Sequence, residues 1–264
     1  MKKTILIFWF GLLLGTHAFA DTKCFLAKEN NKVIVQEGDC IARHSPCSSF
    51  KIAISLMGYN EGILTDEIQP VLPFKKGYVN YMRSWKQPHN PTLWIKNSCV
   101  WYSQAITSKI GMEKFKEYLK NFDYGNQDVT GDKGKNNGLT HSWLASSLGI
   151  SPQEQVIFLQ NLIDGKLSVS DKAYEMTKKI IFVGELVNGW KLYGRSGFCP
   201  VLNQAKTQKL SNRYNEWFVG WVEKGSRAIV FASYIEHTDK NYNPASREAK
   251  TKAKKKLIQI VKRT

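Results

Sequence analysis

The sequence predicts an α+β fold in which an antiparallel sheet is built from both ends of the chain and the middle is mainly helical. Segments rich in aromatic and β-branched residues lie near both termini, whereas residues 60–180 show mostly helical spacing of apolar residues. The strands at the two ends must share one sheet, because otherwise the apolar face of the N-terminal hairpin stays uncovered. We therefore expect a single domain over residues 21–264, with a helical lobe at roughly residues 60–180.

The first twenty residues have the features of an export signal. Lys2 and Lys3 precede an apolar run at residues 5–14, and Ala18-Phe19-Ala20 supplies a small-residue cleavage site. The apolar run is too short to cross a bilayer, which takes about 20 residues, and no later segment approaches that length. We expect a periplasmic or secreted protein that begins near Asp21, after cleavage near Ala20, and has no stable membrane insertion.

The first elements of the mature chain are a hairpin and a buried helix. Residues 25–27 and 33–35 are predicted to be the strands of the hairpin, with Asn30-Asn31 near its turn. An apolar body at residues 52–57 predicts that the helix packs inward. The signals that bound this helix are Ser45 as N-cap and Pro46 at the first position, then Gly58 and Gly62.

Helices dominate the middle of the chain. Apolar residues from Ile106 to Phe122 keep a helical spacing, which predicts one long helix that ends near Asn121. The polar, glycine-rich segment that follows is predicted to be a surface loop. Ser151-Pro152-Gln153-Glu154 has the pattern of a capping box that opens another helix, and a further helix is predicted over residues 170–180.

The last third of the chain changes to strand-like composition and ends in a basic segment. Three strands are predicted at residues 190–193, 217–222 and 228–235, with a hairpin turn between the last two. The formal net charge of +16 makes nucleic acid a partner to consider. We favour no nucleic acid binding, because the clearest basic cluster precedes an apolar pattern typical of an amphipathic helix, whose solvated face it would form. The cluster comprises Lys250, Lys252, Lys254, Lys255 and Lys256.

The mature chain contains five cysteines, so at least one thiol stays free. Cys24 and Cys40 flank the hairpin and are placed to form a disulfide in an oxidising compartment; burial of all five as small core residues is the alternative. Cys47 is a weaker candidate for a nucleophile with His44, because no third group is evident. No CxxC pair occurs, and we expect no metal site. The two remaining cysteines of the five are Cys99 and Cys199.

Ser48 and Lys51 lie three residues apart at the start of the buried helix. Positions i and i+3 share one face of a helix, so the hydroxyl and the amine can touch near its N-terminus. A serine in this place has a base beside it and backbone N–H groups that can hold an anion. The pair alone is weak, because a lysine-rich chain produces SxxK by chance, and an ordinary helix start with a solvated lysine is the alternative.

Three further motifs follow this pair in order: Ser98-x-Val100, Tyr124-Gly125-Asn126 and Arg195-Ser196-Gly197. Together with SxxK, and with a tryptophan, Trp143, shortly after Tyr124-Gly125-Asn126, the ordered set resembles the class D serine β-lactamases, the oxacillinase family. The resemblance extends through residues 46–52, 150–152 and 217–222, and covers essentially the whole mature chain. It implies the β-lactamase/transpeptidase-like fold.

The resemblance implies a role for individual residues. Ser48 would be the nucleophile that opens the lactam ring and becomes acylated, and Ser98 would relay a proton to the departing nitrogen. Lys51 would be the general base after capturing CO2 as a carbamate, N6-carboxylysine, which Trp143 supports through its indole; no other cofactor is implied. Burial would lower the pKa of Lys51 as this modification requires. Backbone N–H groups of Ser48 and Phe198 would form the oxyanion hole.

The resemblance also implies a cationic site for the carboxylate of the substrate. Arg195 and Arg247 would hold it, although Arg247 as a plain surface residue is the alternative. Arg195 stands where the family usually has lysine; it keeps the charge but cannot release a proton, which puts a proton-shuttling role of this position in doubt. The remaining residues expected to line the substrate pocket are Val100, Ser196, Gly197 and Phe198.

We therefore expect an enzyme that hydrolyses penicillin-type antibiotics and confers resistance to them, as a monomer or homodimer. A β-lactam sensor or a penicillin-binding protein, which acylates without efficient turnover, is the alternative. Sensors of this fold are tethered to several membrane helices, and cell-wall peptidases typically add further domains or a membrane helix. Neither feature is visible in this sequence. A non-catalytic basic secreted protein is the remaining alternative.

Overall fold

The computed structural model describes residues 23–238 and 247–263; the predicted export signal lies outside them. A six-stranded antiparallel sheet has the order β2-β1-β6-β5-β4-β3, so the two ends of the chain meet in one sheet. This confirms the predicted fold class. The strands are β1 (Lys23–Glu29), β2 (Lys32–Gly38), β3 (Phe182–Glu185), β4 (Lys191–Leu202), β5 (Lys209–Lys224) and β6 (Arg227–His237).

Helices cover both faces of the sheet. One apolar core lies between the sheet and the helical middle of the chain, and a second lies between the opposite face and the C-terminal helix. No helix in the described ranges is long and apolar enough to cross a membrane. The helices are α1 (Lys51–Asn60), α2 (Pro91–Asn97), α3 (Val100–Ile110), α4 (Met112–Asn121), α5 (Gly138–His141), α6 (Pro152–Ile163), α7 (Asp171–Ile180) and α8 (Glu248–Arg263).

The N-terminal hairpin has the predicted turn. Asn30 and Asn31 both adopt positive φ, at 48° and 63°, as a tight two-residue hairpin turn requires and as asparagine tolerates. β1 then pairs along its length with β6, which covers the hairpin. Cys24 and Cys40 form a disulfide, so the structure decides between the two alternatives for this pair.

Details at both ends of α1 were predicted wrongly, and Pro46 precedes a 3-10 turn instead of standing at the first position of the helix. Ser45 is not an N-cap, because a 3-10 turn at Cys47–Phe50 precedes the helix and Ser45 bonds elsewhere. Its hydroxyl donates to the Trp143 carbonyl at 2.9 Å and accepts the Ala145 N–H at 3.0 Å. Gly58 lies inside the helix rather than at its end.

The long helix predicted to end near Asn121 is in fact two helices. Gly111, at φ 81°, separates α3 from α4, a conformation that glycine adopts without the penalty of a side chain. Apolar residues keep their helical spacing on both sides of Gly111, so the pattern did not reveal the break. The capping box that opens α6 is present, with reciprocal bonds between Ser151 and Glu154.

The C-terminal helix α8 has the predicted amphipathic character. Its apolar face packs on the sheet through residues that include Ala253 and Leu257. Lys256, which pairs with Glu37 at 2.6 Å, and Lys252, which pairs with Glu248, lie toward solvent as predicted. Lys250 does not: it is half-buried and lines a cleft. Basic residues are therefore balanced in part by neighbouring carboxylates on this face.

Candidate active site

The structure brings Ser48 and Lys51 together at the junction of the 3-10 turn and α1. The Nζ atom of Lys51 lies 3.1 Å from the Oγ atom of Ser48. The lysine side chain is completely buried, at 0% exposure, while Ser48 borders an open cleft. A base is therefore in contact with a hydroxyl that a small molecule can reach.

Burial lowers the pKa of Lys51 well below its ordinary value, and the positive charge of Arg195 acts in the same direction. The thiol of Cys99 opposes this effect only weakly. No carboxylate is among the groups that influence the pKa of Lys51. A neutral amine is favoured in such a site, and a neutral amine can accept the proton of Ser48.

Ser98 lies between α2 and α3, in a left-handed conformation with φ 54°. Tryptophans hold this junction: the Trp85 indole donates to the Asn97 carbonyl at 2.8 Å, and the Trp101 indole donates to the Trp85 carbonyl at 2.9 Å. Ser98 and Val100 line the same cleft as Ser48. A second hydroxyl thus borders the cleft at a junction that these hydrogen bonds hold in place.

Strand β4 passes directly against the Ser48 turn. A Cβ atom built on Gly197 would lie 2.6 Å from the Pro46 carbonyl oxygen and 2.9 Å from the Ser49 nitrogen. Only a residue without a side chain permits this approach of two backbones. The strand residues Ser196 and Phe198 border the cleft, and the Phe198 ring stacks on Tyr214 at 5.2 Å.

We expect Gly197→Ala to lower kcat/KM by about 100-fold, because a methyl group would push β4 away from the Ser48 turn by a fraction of an ångström or more. Gly149→Ala is the matched control, since its Cβ would meet its nearest neighbour, the Cβ of Arg43, at an ordinary 3.5 Å. Steady-state kinetics on folded variants, checked by circular dichroism, measure the difference. Wild-type kinetics in Gly197→Ala would contradict the proposed tight contact.

Positive charges gather on one wall of the cleft. Burial lowers the pKa of Arg195 to about 10, and the charge of Arg247 adds to this effect. Lys250 lines the same wall, and burial lowers its pKa, with Arg247, Lys254 and Arg195 acting in the same direction. The buried Nε of Arg195 has no hydrogen-bond partner among the described residues. This wall is suited to hold a carboxylate.

A buried pair supports the position of Arg247. The Glu216 carboxylate accepts the Ala249 N–H at the start of α8, at 3.1 Å, and lies 2.8 Å from Nε2 of His237. This arrangement ties β5, β6 and α8 together beside Arg247. Glu216 and Lys250 were not identified as site residues from the sequence, because only the assembly of the sheet, which contains Glu216 in β5, and the packing of α8, which carries Lys250, bring them to the cleft.

Trp143 lies beneath the cleft and is fully buried. Its ring packs against Phe50 and Phe115, with centroid distances of 5.5 and 6.2 Å, and its carbonyl accepts the Cys47 N–H at 3.0 Å. The indole N–H has no acceptor among the described residues. A buried donor without an acceptor is unusual in proteins, and here it lies close to the residues around Ser48.

The Tyr124-Gly125-Asn126 segment acts as a support. A Cβ on Gly125, which has φ 58°, would lie 2.1 Å from the Gly149 carbonyl oxygen, and Asn126 exchanges hydrogen bonds with Gly149 at 2.9 Å. The amide of Gln155 bonds to the Tyr124 hydroxyl at 3.3 Å and to Ser49 at 3.2 Å. The motif thus braces the Ser48 turn from behind.

The cleft has a volume of about 1540 Å³, which accommodates a drug-sized molecule. Lys51 and Trp143 lie below its surface, whereas the other residues predicted from the sequence line it. The described ranges contain no group of three histidine, cysteine or acidic residues able to hold a metal ion. The predicted residues that line the cleft are Ser48, Ser98, Val100, Arg195, Ser196, Gly197, Phe198 and Arg247.

A second disulfide, between Cys47 and Cys199, joins the Ser48 turn to β4. The alternative interpretation of Cys47 as a nucleophile is therefore wrong, because its sulfur is already bonded. Cys99 is the free cysteine of the chain, and it is buried. The sequence contained no signal for the second pairing, since the two residues are 152 positions apart.

Comparisons with known proteins agree on one family. The family described as "Penicillin binding protein transpeptidase domain" matches residues 19–259. The β-lactamase OXA-9 of Klebsiella pneumoniae is 41% identical over 232 residues, which cover 86% of this chain and 84% of the relative. The β-lactamase OXA-1 of Escherichia coli is 40% identical over 217 residues, covering 80% and 75%.

The solved structures include a similar fold over nearly the whole chain. The crystal structure of the OXA-427 class D β-lactamase superimposes with a TM-score of 0.87 at 37% identity, covering 92% of this chain and 99% of that one. The sequence similarity, the fold, and the contact between a buried lysine and a serine at the cleft therefore all indicate the same family. The chain belongs to the class D β-lactamases.

Proposed function

We propose that this β-lactamase hydrolyses penicillin-type antibiotics through an acyl-enzyme on Ser48, with Lys51 as the general base, and so confers resistance to them. The observation that carries the proposal is the 3.1 Å contact between the Ser48 hydroxyl and a lysine that is completely buried. A buried lysine with a lowered pKa beside an accessible hydroxyl is suited to proton abstraction.

In the proposed acylation step, Lys51 removes the proton of Ser48 as its Oγ attacks the lactam carbonyl. The developing oxyanion accepts hydrogen bonds from the backbone N–H groups of Ser48 and Phe198. The carbon–nitrogen bond then breaks, and Ser98 relays to the departing nitrogen the proton that Lys51 took from Ser48, which leaves the base deprotonated for the next step. Arg195 and Arg247 hold the substrate carboxylate on the cationic wall of the cleft.

In the proposed deacylation step, the same base activates a water molecule. The water attacks the ester carbon, the bond to the Ser48 oxygen breaks, and the proton returns to Ser48. The ring-opened acid then leaves the cleft. A sensor or a penicillin-binding protein differs at this step, because it has no efficient base for the water.

The residues around Lys51 fit a carbamate formed from CO2. Only a neutral amine reacts with CO2, and burial lowers the pKa of Lys51 in the required direction. The buried indole N–H of Trp143, which has no acceptor among the described residues, is a donor suited to a carbamate oxygen. A carbamate supplies a carboxylate-like base at neutral pH.

We expect Trp143→Phe to lower kcat about 10- to 100-fold at ambient CO2 and to recover much of that loss in added bicarbonate, because the lost N–H stabilises a charged group. Trp94→Phe is the matched control: Trp94 is equally buried, but its indole donates to Ser103 at 2.9 Å. Labelled bicarbonate and carbon-13 NMR report the carbamate directly. Equal bicarbonate dependence in both variants would contradict the proposed role.

The direct test of the function is steady-state hydrolysis of a chromogenic penicillin analogue by the mature protein, with and without bicarbonate. We expect many turnovers per molecule, at a rate that rises with bicarbonate. A single stoichiometric burst would indicate a sensor or a penicillin-binding protein instead. No reaction would contradict the catalytic assignment.

We also propose that the protein acts in the periplasm or outside the cell, after removal of residues 1–20. Two disulfides are present, and disulfides persist in oxidising compartments. The mass of the protein recovered from a periplasmic extract tests this proposal. A mature form that begins near Asp21 is expected, and an uncleaved cytoplasmic form would overturn it.

A further inference from the structure

We propose that the Cys47–Cys199 disulfide is a clamp that positions the two halves of the oxyanion hole relative to each other. The inference rests on the proposed function, in which Ser48 and Phe198 supply the backbone donors. Each cysteine is the immediate neighbour of one donor: Cys47 precedes Ser48, and Cys199 follows Phe198. The disulfide therefore joins the two donor segments at the residues directly next to the donors.

The clamp joins two backbones that already touch. Gly197 leaves room for the Pro46 carbonyl and the Ser49 nitrogen, and the Cα atoms of Cys47 and Cys199 are 5.8 Å apart. Cys47 is fully buried and Cys199 is 7% exposed, so the bond lies inside the protein beside the cleft. The distance between the donor segments is thus set where the two segments meet.

Strand β4 pairs with a strand on only one edge where it passes the Ser48 turn, among the described strands. β3 pairs with β4 only as far as Tyr193, whereas β5 pairs with the opposite edge through Cys199 and Pro200. Among the described strands, only β5 therefore pairs with residues 195–200. Cys199 lies two residues after Gly197 and therefore on the same face of β4, the face that meets the Ser48 turn, so the disulfide adds a restraint there beside Phe198.

The backbone of Cys47 also requires restraint. Its φ of 52° lies in the left-handed region, which residues with a side chain adopt only when their surroundings impose it. The surroundings here are the disulfide and the hydrogen bond from the Cys47 N–H to the Trp143 carbonyl, at 3.0 Å. The N–H of Ser48 belongs to the peptide bond that follows Cys47, so the direction of this donor depends on the conformation of Cys47.

A purely structural role for the disulfide makes a different prediction. A cross-link that only restricts the unfolded chain changes the free energy of unfolding and leaves the kinetics of the folded enzyme alone. The chain offers a matched control in the buried Cys24–Cys40 disulfide, which lies at the N-terminal hairpin and touches neither donor segment. Comparison of the two disulfides separates positioning from stabilisation.

The test compares the double variants Cys47→Ala/Cys199→Ala and Cys24→Ala/Cys40→Ala with the wild type, below their unfolding temperatures. We expect the first to lose about 10- to 100-fold in kcat/KM, since misplacement of a reacting group by about 1 Å costs about 100-fold. Its affinity for a boronic acid, which forms a tetrahedral adduct on Ser48, should fall in parallel. The control is expected to stay within about two-fold of the wild type in both measurements.

A second experiment does not require Cys47→Ala/Cys199→Ala to fold. In the Cys24→Ala/Cys40→Ala background, a phosphine and water supply the two electrons and two protons that convert the remaining disulfide to two thiols. We expect hydrolysis to slow as the thiols of Cys47 and Cys199 appear, which mass spectrometry of the alkylated protein detects in addition to Cys99. Activity should return on reoxidation. Unchanged activity in the reduced protein would overturn the clamp.

The outcomes also distinguish the clamp from the proposed function. Equal kcat/KM and equal boronate affinity in the two double variants would overturn the clamp while leaving the hydrolase intact. Turnover that persists in Ser48→Ala would overturn the assignment of the nucleophile and the clamp with it. A parallel fall of kcat/KM and boronate affinity, confined to the variant without Cys47 and Cys199, supports the clamp.

Discussion

Ser48→Ala is expected to reduce β-lactam hydrolysis to background, a loss of about 10⁴- to 10⁶-fold in kcat, as is found when the nucleophile of a serine hydrolase is removed. No other hydroxyl is in contact with Lys51 among the described residues, so no neighbouring group can replace the lost oxygen. The variant should remain folded, because the deleted atom borders the open cleft rather than the core. Steady-state hydrolysis of a chromogenic substrate gives the rate.

The covalent step can be followed independently of turnover. Intact-protein mass spectrometry after mixing with a slow substrate should show an adduct on the wild type and none on Ser48→Ala. Ser226→Ala, in the exposed turn between β5 and β6, is the matched control and should keep wild-type rates. An adduct on the Ser48→Ala protein would assign the nucleophile to a different residue.

Lys51→Met is expected to have the second largest effect, a loss of about 10³- to 10⁴-fold in kcat, within the range of general acid–base catalysis. Methionine nearly preserves the volume of the side chain and carries no charge, so we expect the variant to be at least as stable as the wild type. If Lys51→Met slows deacylation more than acylation, the acyl-enzyme should accumulate. Lys109→Met, at an exposed position of α3, is the control.

The pH dependence of the wild type provides a further readout on Lys51. The base acts only in its deprotonated form, and burial lowers the pKa of Lys51. The enzyme is therefore expected to stay active at neutral pH, where an ordinary lysine is protonated, and to lose kcat/KM as the pH falls through the lowered value. Bicarbonate should not restore Lys51→Met. Restoration would assign the base to another group.

Much of the fold could be predicted because it depends on local chemistry. Asn30 and Asn31 specify a tight turn through their tolerance of positive φ, and Ser151 with Glu154 specifies a helix start through reciprocal hydrogen bonds. These interactions involve residues within one turn of each other. The break at Gly111 escaped prediction because the apolar spacing of a helix continues on both sides of it.

The candidate site was predicted in part. Ser48 and Lys51 share one face of the chain at the start of a helix, so their contact follows from their spacing alone. The meeting of Ser98 and Arg195 with this pair in one cleft required the resemblance to a family, because neither residue is near Ser48 in the sequence. Glu216 and Lys250 carry no local signal for a site, and only the assembly of β5 in the sheet and of α8 against it brings them to the cleft.

By itself, the sequence determined the main strands and helices and the reactive pair, since turns, caps and i,i+3 contacts depend on neighbouring residues. Only the tertiary structure decided that Lys51 is buried with no carboxylate partner in the described part of the chain, that Gly197 touches the Ser48 turn, and that Cys47 is bonded to Cys199. The physical reason is the same in each case. Burial, close approach and cross-linking depend on segments that are distant in the sequence and that meet only when the sheet and the helices pack together.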